Sequence, residues 1–147
     1  MNTPGRRAAL RMGGSVNDVP HDRVSHAAPG GPGATLEPKL KVWIVFGERV
    51  KFGHGRAQLL QTIDELGSLR KAAAQLGMSY RSVWGYLRAL EAAAGFPFLE
   101  RRVGGKGSGG TTLTPQGRAF LARYWAFRQQ VDALVEQQFV TRFLSQE

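Results

Sequence analysis

The chain has 147 residues, and its 20 Lys and Arg against 11 Asp and Glu give a formal charge of +9, a balance that fits either a polyanionic partner or a basic surface that is merely solvated. Cysteine is absent, which excludes disulfide frameworks, cysteine-ligated zinc and thiol nucleophiles together. There is no run of about 18 apolar residues and no apolar block at the N-terminus, so neither a membrane span nor a secretory signal is expected and the chain reads as cytoplasmic.

Residues 1–38 hold five prolines (Pro4, Pro20, Pro29, Pro32, Pro38) and six glycines, with no apolar period of a strand or a helix. Such a segment cannot bury enough surface to offset its ordering entropy, and it reads as a disordered tail. Its four arginines (Arg6, Arg7, Arg11, Arg23) against three acids (Asp18, Asp22, Glu37) leave +1, so +8 of the charge lies from Lys39 onward. The arginines suggest a transit peptide, but the prolines and glycines oppose the amphipathic helix that one needs. Met12 offers an alternative start.

Leu40–Phe46 is rich in β-branched and aromatic residues, and after a polar break at Gly47-Glu48-Arg49 comes Val50-Lys51-Phe52, a pattern that predicts a strand or a small hairpin. The period then changes. Leu59, Leu60, Ile63 and Leu66 predict a helix over 56–66, stopped by Gly67, with His54 as a turn residue before it. Ser68 caps a second, short helix through Leu76, stopped by Gly77. A third helix opens at Ser79 and runs to Ala94, with Val83, Leu87, Leu90 and Ala94 on its apolar face.

The second and third helices are separated by Gly77 and Met78 with Ser79 as cap. Two short helices around a glycine turn read either as an ordinary helical hairpin or as a helix-turn-helix whose second member enters the DNA major groove. The far face of the third helix favours the latter. It carries Tyr80, Arg81, Trp84, Gly85 and Arg88, which offer guanine-reading forks, phosphate donors and flat apolar contacts where a solvated helix would show Glu and Lys. Trp84 reads equally as core or as contact; Tyr80 and above all Arg81, near the helix start, are the better contacts.

Pro97–Leu113 reads as two short strands around the loop 104–110, which has five glycines and Lys106 in seven residues. A Walker phosphate loop is excluded, because Lys106 is not followed by Ser or Thr and the glycine five residues earlier is missing. Between a flexible linker and a wing, the wing is favoured: glycine admits the DNA backbone closely, and Arg101, Arg102 and Lys106 would neutralise phosphates. Residues 79–118 hold six basic residues, Arg118 among them, against Glu91 and Glu100. Thr114-Pro115 opens the last helix. Along it Phe120, Tyr124, Phe127, Val131 and Leu134 form a heptad-like stripe, continued after a shift by Val135, Phe139 and Phe143. A two-helix dimer seam is favoured over a helix folded back on its own domain.

Met78-Ser-Tyr-Arg-Ser-Val-Trp84, the loop Gly104–Gly110, Leu113-Thr-Pro-Gln-Gly117 and the phrase Gly67–Gly77 together resemble the N-terminal DNA-binding domain of the ModE family of molybdate-responsive transcription regulators, itself similar to the winged helix of LysR-type regulators. The resemblance covers about residues 39–135. It implies that the third helix reads the major groove through Ser79, Tyr80, Arg81, Ser82 and Trp84, that Arg101, Arg102, Lys106 and the loop glycines touch the backbone, and that the terminal helices pair two subunits. The expected fold is mainly α: a disordered tail over 1–38, a winged helix-turn-helix over 39–114 with a short N-terminal hairpin and a β-wing, and a dimerisation helix over 115–147.

Full-length regulators of that family continue into oxyanion-binding modules, whereas this chain ends at Glu147. The expectation is therefore a DNA-binding regulator without those modules and without a cofactor, with direct molybdate binding in doubt. It would act constitutively, pair with a full-length relative, or sense a signal through the tail or the dimer interface. Two other classes of function stand beside it: a small oxyanion-binding protein using the wing glycines and Lys106, and an interaction adaptor using the C-terminal helix. Catalysis and metal binding are not expected, since His21, His26 and His54 join no carboxylate pair or Ser-His set.

Overall fold

The computed structural model describes residues 35–104 and 109–145. Most of the expected tail, the wing tip with Lys106 and the last two residues lie outside the described residues.

The chain first forms a two-stranded antiparallel hairpin, β1 (Ile44–Phe46) and β2 (Val50–Phe52), with Ile44 opposite Phe52. The pleat turns Ile44, Phe46, Val50 and Phe52 toward the core and leaves Val45 and Lys51 outside. Only three residues of the apolar run Leu40–Phe46 are in the strand, because β2 ends at Phe52 and offers three partners. Trp43, exposed, takes the Lys51 ammonium over its ring instead, 5.1 Å from the centroid.

Helix α1 (His54–Leu66) starts two residues before the expected 56. Gly53, in extended conformation, serves as its N-cap, so His54 belongs to the first turn of the helix rather than to the loop before it. α2 (Leu69–Gln75) and α3 (Tyr80–Ala94) follow, each capped by a serine: Lys71 N donates to Ser68 Oγ at 3.1 Å and Ser82 N to Ser79 Oγ at 3.3 Å. At the turn between them Gly77 takes φ +65°, the left-handed conformation that releases Met78 N to reach Ala73 O at 2.8 Å.

The second hairpin pairs β3 (Leu99–Arg102) with β4 (Gly110–Leu113), Arg101 opposite Thr111 and Arg102 opposite Gly110. Its base is tied down from both sides. Glu91 accepts from Phe98 N (2.8 Å) and Leu99 N (3.2 Å), while Asp64 accepts from Leu113 N (3.1 Å) and Gly67 O from Thr111 N (2.9 Å). The base of the wing is thus fixed to α1 and α3.

α4 (Pro115–Phe139) opens with Thr114 as cap, its hydroxyl accepting from Gly117 N at 3.0 Å and donating to Pro97 O at 2.6 Å. The helix begins inside the core. Tyr124, expected on the dimer seam, is 1% exposed and packs edge-on against Phe52, centroids 5.1 Å apart. Phe120 is half-buried among Phe46, Phe52 and Phe98, at 5.2, 5.0 and 5.4 Å. The heptad spacing is real, but its first members are covered by the chain's own hairpin and wing base, because this half of the helix lies across the domain. Further along, the stripe emerges: Phe127 and Leu134 are exposed, and Val131 and Phe139 are half-buried. Past Phe139 the helix loosens into a π-helical turn, Val140–Leu144, with Phe139 stacked on Phe143 at 5.3 Å. The remaining core is aliphatic: Leu59, Leu60 and Ile63 of α1 meet Val83, Leu87 and Leu90 of α3.

Candidate nucleic-acid interface

The geometry of α3 follows from its sequence period. Val83, Leu87 and Leu90 are buried, so Arg81, Gly85 and Arg88 are carried to the opposite, exposed face. Ser79 and Ser82 are exposed at the helix start, joined by the capping bond. Tyr80 and Trp84 sit between these faces, on the flank turned toward the wing, 38% and 42% exposed, with their rings edge to face at 6.5 Å. Trp84 is therefore not part of the core.

Between this flank and the wing runs an open groove of about 400 Å³, lined by Tyr80, Trp84 and Glu91 of α3 and by Arg101, Arg102 and Thr111 of the wing. Both wing arginines are exposed. Ser79, Tyr80, Arg81, Ser82, Trp84, Gly85 and Arg88 thus share one helix, and Tyr80 and Trp84 share a groove with Arg101 and Arg102. Lys106 lies outside the described residues.

Not every basic residue of this stretch is available to a ligand. Arg118 forms a two-pronged pair with Asp64, Nη1 to Oδ2 and Nη2 to Oδ1, the same carboxylate that accepts from Leu113 N. It closes α1, β4 and α4 together, so its charge belongs to the fold. Arg81, Arg88, Arg101 and Arg102 have no carboxylate partner among the described residues. Behind α3, Tyr86 donates to Lys51 O at 3.2 Å and lies under the Arg56 guanidinium, 3.9 Å from the ring centroid. Burial raises its phenol above the ordinary range, and the nearby guanidinium opposes that only in part.

One group escaped the sequence reading. Arg70, on α2, places its guanidinium 4.4 Å from the centroid of Tyr80. A signal for it existed: Arg70 and Lys71 open the first helix of the helix-turn-helix pair, the element that in this motif generally crosses the DNA backbone.

A helix fronted by guanidinium and aromatic groups, preceded by a short helix and flanked by a basic hairpin, defines a winged helix-turn-helix. Residues 55–118 match the family described as bacterial regulatory helix-turn-helix protein, lysR family. Curated relatives narrow this further. The chain is 41% identical over 69 residues to the transcriptional regulator ModE of Haemophilus influenzae, 47% of this chain and 27% of that one. It is 34% identical over 85 residues to the molybdenum-pterin-binding protein MopB of Rhodobacter capsulatus, 58% and 32% of the two chains. To the DNA-binding transcriptional dual regulator ModE of Escherichia coli it is 35% identical over 69 residues, 47% and 26%. Residues 55–118 are thus similar to the LysR-type helix-turn-helix family, and about half of the chain is similar to the N-terminal part of ModE and MopB proteins. It spans about a quarter to a third of the length of these relatives. Among the described residues no helix is long and apolar enough to cross a membrane.

Proposed function

We propose that this chain is a sequence-specific transcription regulator that works in the cytoplasm as a homodimer on double-stranded DNA and serves molybdenum homeostasis. The observation that carries the reading is the exposed face of α3, where Tyr80, Arg81, Trp84, Gly85 and Arg88 stand free of the core beside a wing bearing Arg101 and Arg102. Arg81 and Tyr80 read base edges, since residues near the start of a groove-bound helix reach deepest and an arginine fork matches the acceptor pair of guanine. Ser79 and Ser82 contact phosphate or hold the helix start, and Arg101, Arg102 and Lys106 grip the flanking backbone.

The second subunit is argued from α4. Its far half presents Phe127, Val131 and Leu134 beyond the edge of the domain, with Leu134 57% exposed. A second copy of the same helix covers them by the two-fold symmetry that palindromic half-sites require. A full-length relative offering the same helix would serve equally, giving a heterodimer. The link to molybdenum rests on the names of the relatives.

The test is binding of the purified chain to its own promoter fragment and to a scrambled duplex, with Arg81→Ala beside wild type. The variant, still folded, loses roughly tenfold or more on the specific duplex. Binding as tight as wild type overturns the role assigned to α3.

A further inference from the structure

The wing and the start of α2 meet at one corner, and glycine is what lets them meet. A Cβ on Gly110 would strike the Gly67 carbonyl oxygen, the same oxygen that accepts from Thr111 N at 2.9 Å. Because residue 110 is glycine, β4 lies directly on the α1–α2 junction. The result is a small polar pocket of about 170 Å³, lined by Ser68 and Arg70 of α2, Tyr80 of α3 and Gly109, Gly110 and Thr111 of the wing base.

Arg70 is the cation of that pocket, and unlike two other arginines of this fold it is not committed to a carboxylate. Arg118 is committed to Asp64, and Arg128 to Asp132 at 2.8 Å. Arg70 has no carboxylate partner among the described residues; it is stacked on Tyr80 instead, at 4.4 Å. Stacking fixes the plane of a guanidinium without using its N–H donors, so the fork is held in place with its donors unspent. A planar fork of that kind matches two oxygens of a tetrahedral oxyanion.

Resting on the proposed DNA-binding reading, we propose that Arg70 binds one backbone phosphate of the duplex in the pocket between α2, Tyr80 and the wing base. The strand that passes between α3 and the wing brings its phosphates to this corner, where Gly109 carries no side chain to obstruct the sugar-phosphate chain. Tyr80 then has two roles, one edge toward the bases and one face under Arg70. The reading helix and the backbone grip are therefore set by the same ring.

The experiment is a salt titration of affinity for the full chain on two duplexes, one recovered from a random pool by the protein and one scrambled. Arg70→Ala, Arg70→Lys and Arg81→Ala are compared with wild type, each checked for unchanged circular dichroism. Loss of one phosphate contact weakens Arg70→Ala about tenfold on both duplexes and lowers the magnitude of the log K against log salt slope by about 0.9. Arg70→Lys keeps the wild-type slope but binds more weakly, because an ammonium cannot form the fork.

An Arg70→Ala slope equal to wild type, beside an Arg81→Ala protein that has lost the specific duplex, overturns this proposal and leaves the DNA-binding reading standing. Wild-type protein that binds neither duplex overturns both. A saturable thermal shift with molybdate or inorganic phosphate alone, abolished in Arg70→Ala, assigns the pocket to a free ion and overturns the duplex as its occupant.

Discussion

Replacing Gly117 by alanine sets two effects of opposite sign against each other. In a helix the change ordinarily stabilises by about 0.5–1 kcal/mol, because alanine restricts the unfolded chain and favours the helical backbone. At Gly117, in the first turn of α4, a Cβ would lie 2.6 Å from Phe98 O and 3.0 Å from Phe98 Cα. Phe98 has nowhere to go. Its ring is fully buried, its N–H donates to Glu91 and its carbonyl accepts from Thr114 N at 2.9 Å.

Overpacking at such a site costs about 1–3 kcal/mol or more, enough to reverse the propensity gain. For a domain of about 100 residues each kcal/mol moves Tm by roughly 4–8 °C. Gly85 is the matched control, since it lies within α3 with nothing inside 4 Å of its Cβ position, and Gly85→Ala therefore stabilises by about 0.5–1 kcal/mol. Thermal and urea unfolding followed by circular dichroism read both signs. A Gly117→Ala protein as stable as wild type, or a Gly85→Ala protein that falls with it, refutes the close approach of α4 to the wing base.

Asp64→Ala orphans Leu113 N in the core and costs about 2–3 kcal/mol in urea unfolding, whereas Asp64→Asn keeps an acceptor and costs less than about 1, since the Arg118 partner is largely exposed. Arg118→Ala lowers stability slightly and leaves the salt slope of DNA binding unchanged, which a phosphate contact at that position would not do. Leu134→Asp leaves the fold intact and shifts the chain from dimer to monomer in sedimentation; an unchanged dimer moves the interface elsewhere. Burial holds the phenols of Tyr86 and Tyr124 above their ordinary value of 10.0. The neutral form is favoured in the folded state, so this stability is complete below that pH and is lost as pH rises beyond it. In unfolding measured across that range, the decline is shallower for Tyr86→Phe with Tyr124→Phe.

The local signals of the sequence proved reliable where a side chain and its backbone settle the outcome between them. Ser68, Ser79 and Thr114 are caps, and glycines stop α1 and α3 in the left-handed conformation. The period of α3 separates Val83, Leu87 and Leu90 from the arginines without help from the rest of the fold. What failed to show in the sequence was how far one element reaches across another. The stripe from Phe120 to Leu134 is continuous in sequence, yet Tyr124 is core and Leu134 is surface, because the domain beneath α4 ends partway along the helix. The wing base was equally invisible, since Asp64 and Gly67 meet Leu113 and Thr111 across more than forty positions.

Charge carries the same lesson to the functional site. A positive balance counts cations without saying which have already been used. Arg118, in the stretch that looked most like a DNA surface, closes the fold on Asp64, while Arg70, outside it, keeps its donors by stacking on Tyr80. Both residues are arginines on exposed helix positions, and only the location of the nearest carboxylate or aromatic ring separates them. Among the described residues, Arg70, Arg81, Arg88, Arg101 and Arg102, on α2, α3 and the wing, lack a carboxylate partner, and on the proposed reading they are the cations that exchange counterions for phosphates. These elements converge on the groove beside Tyr80 and Trp84, so in the proposed complex the aromatic pair would set where the free cations stand relative to the bases.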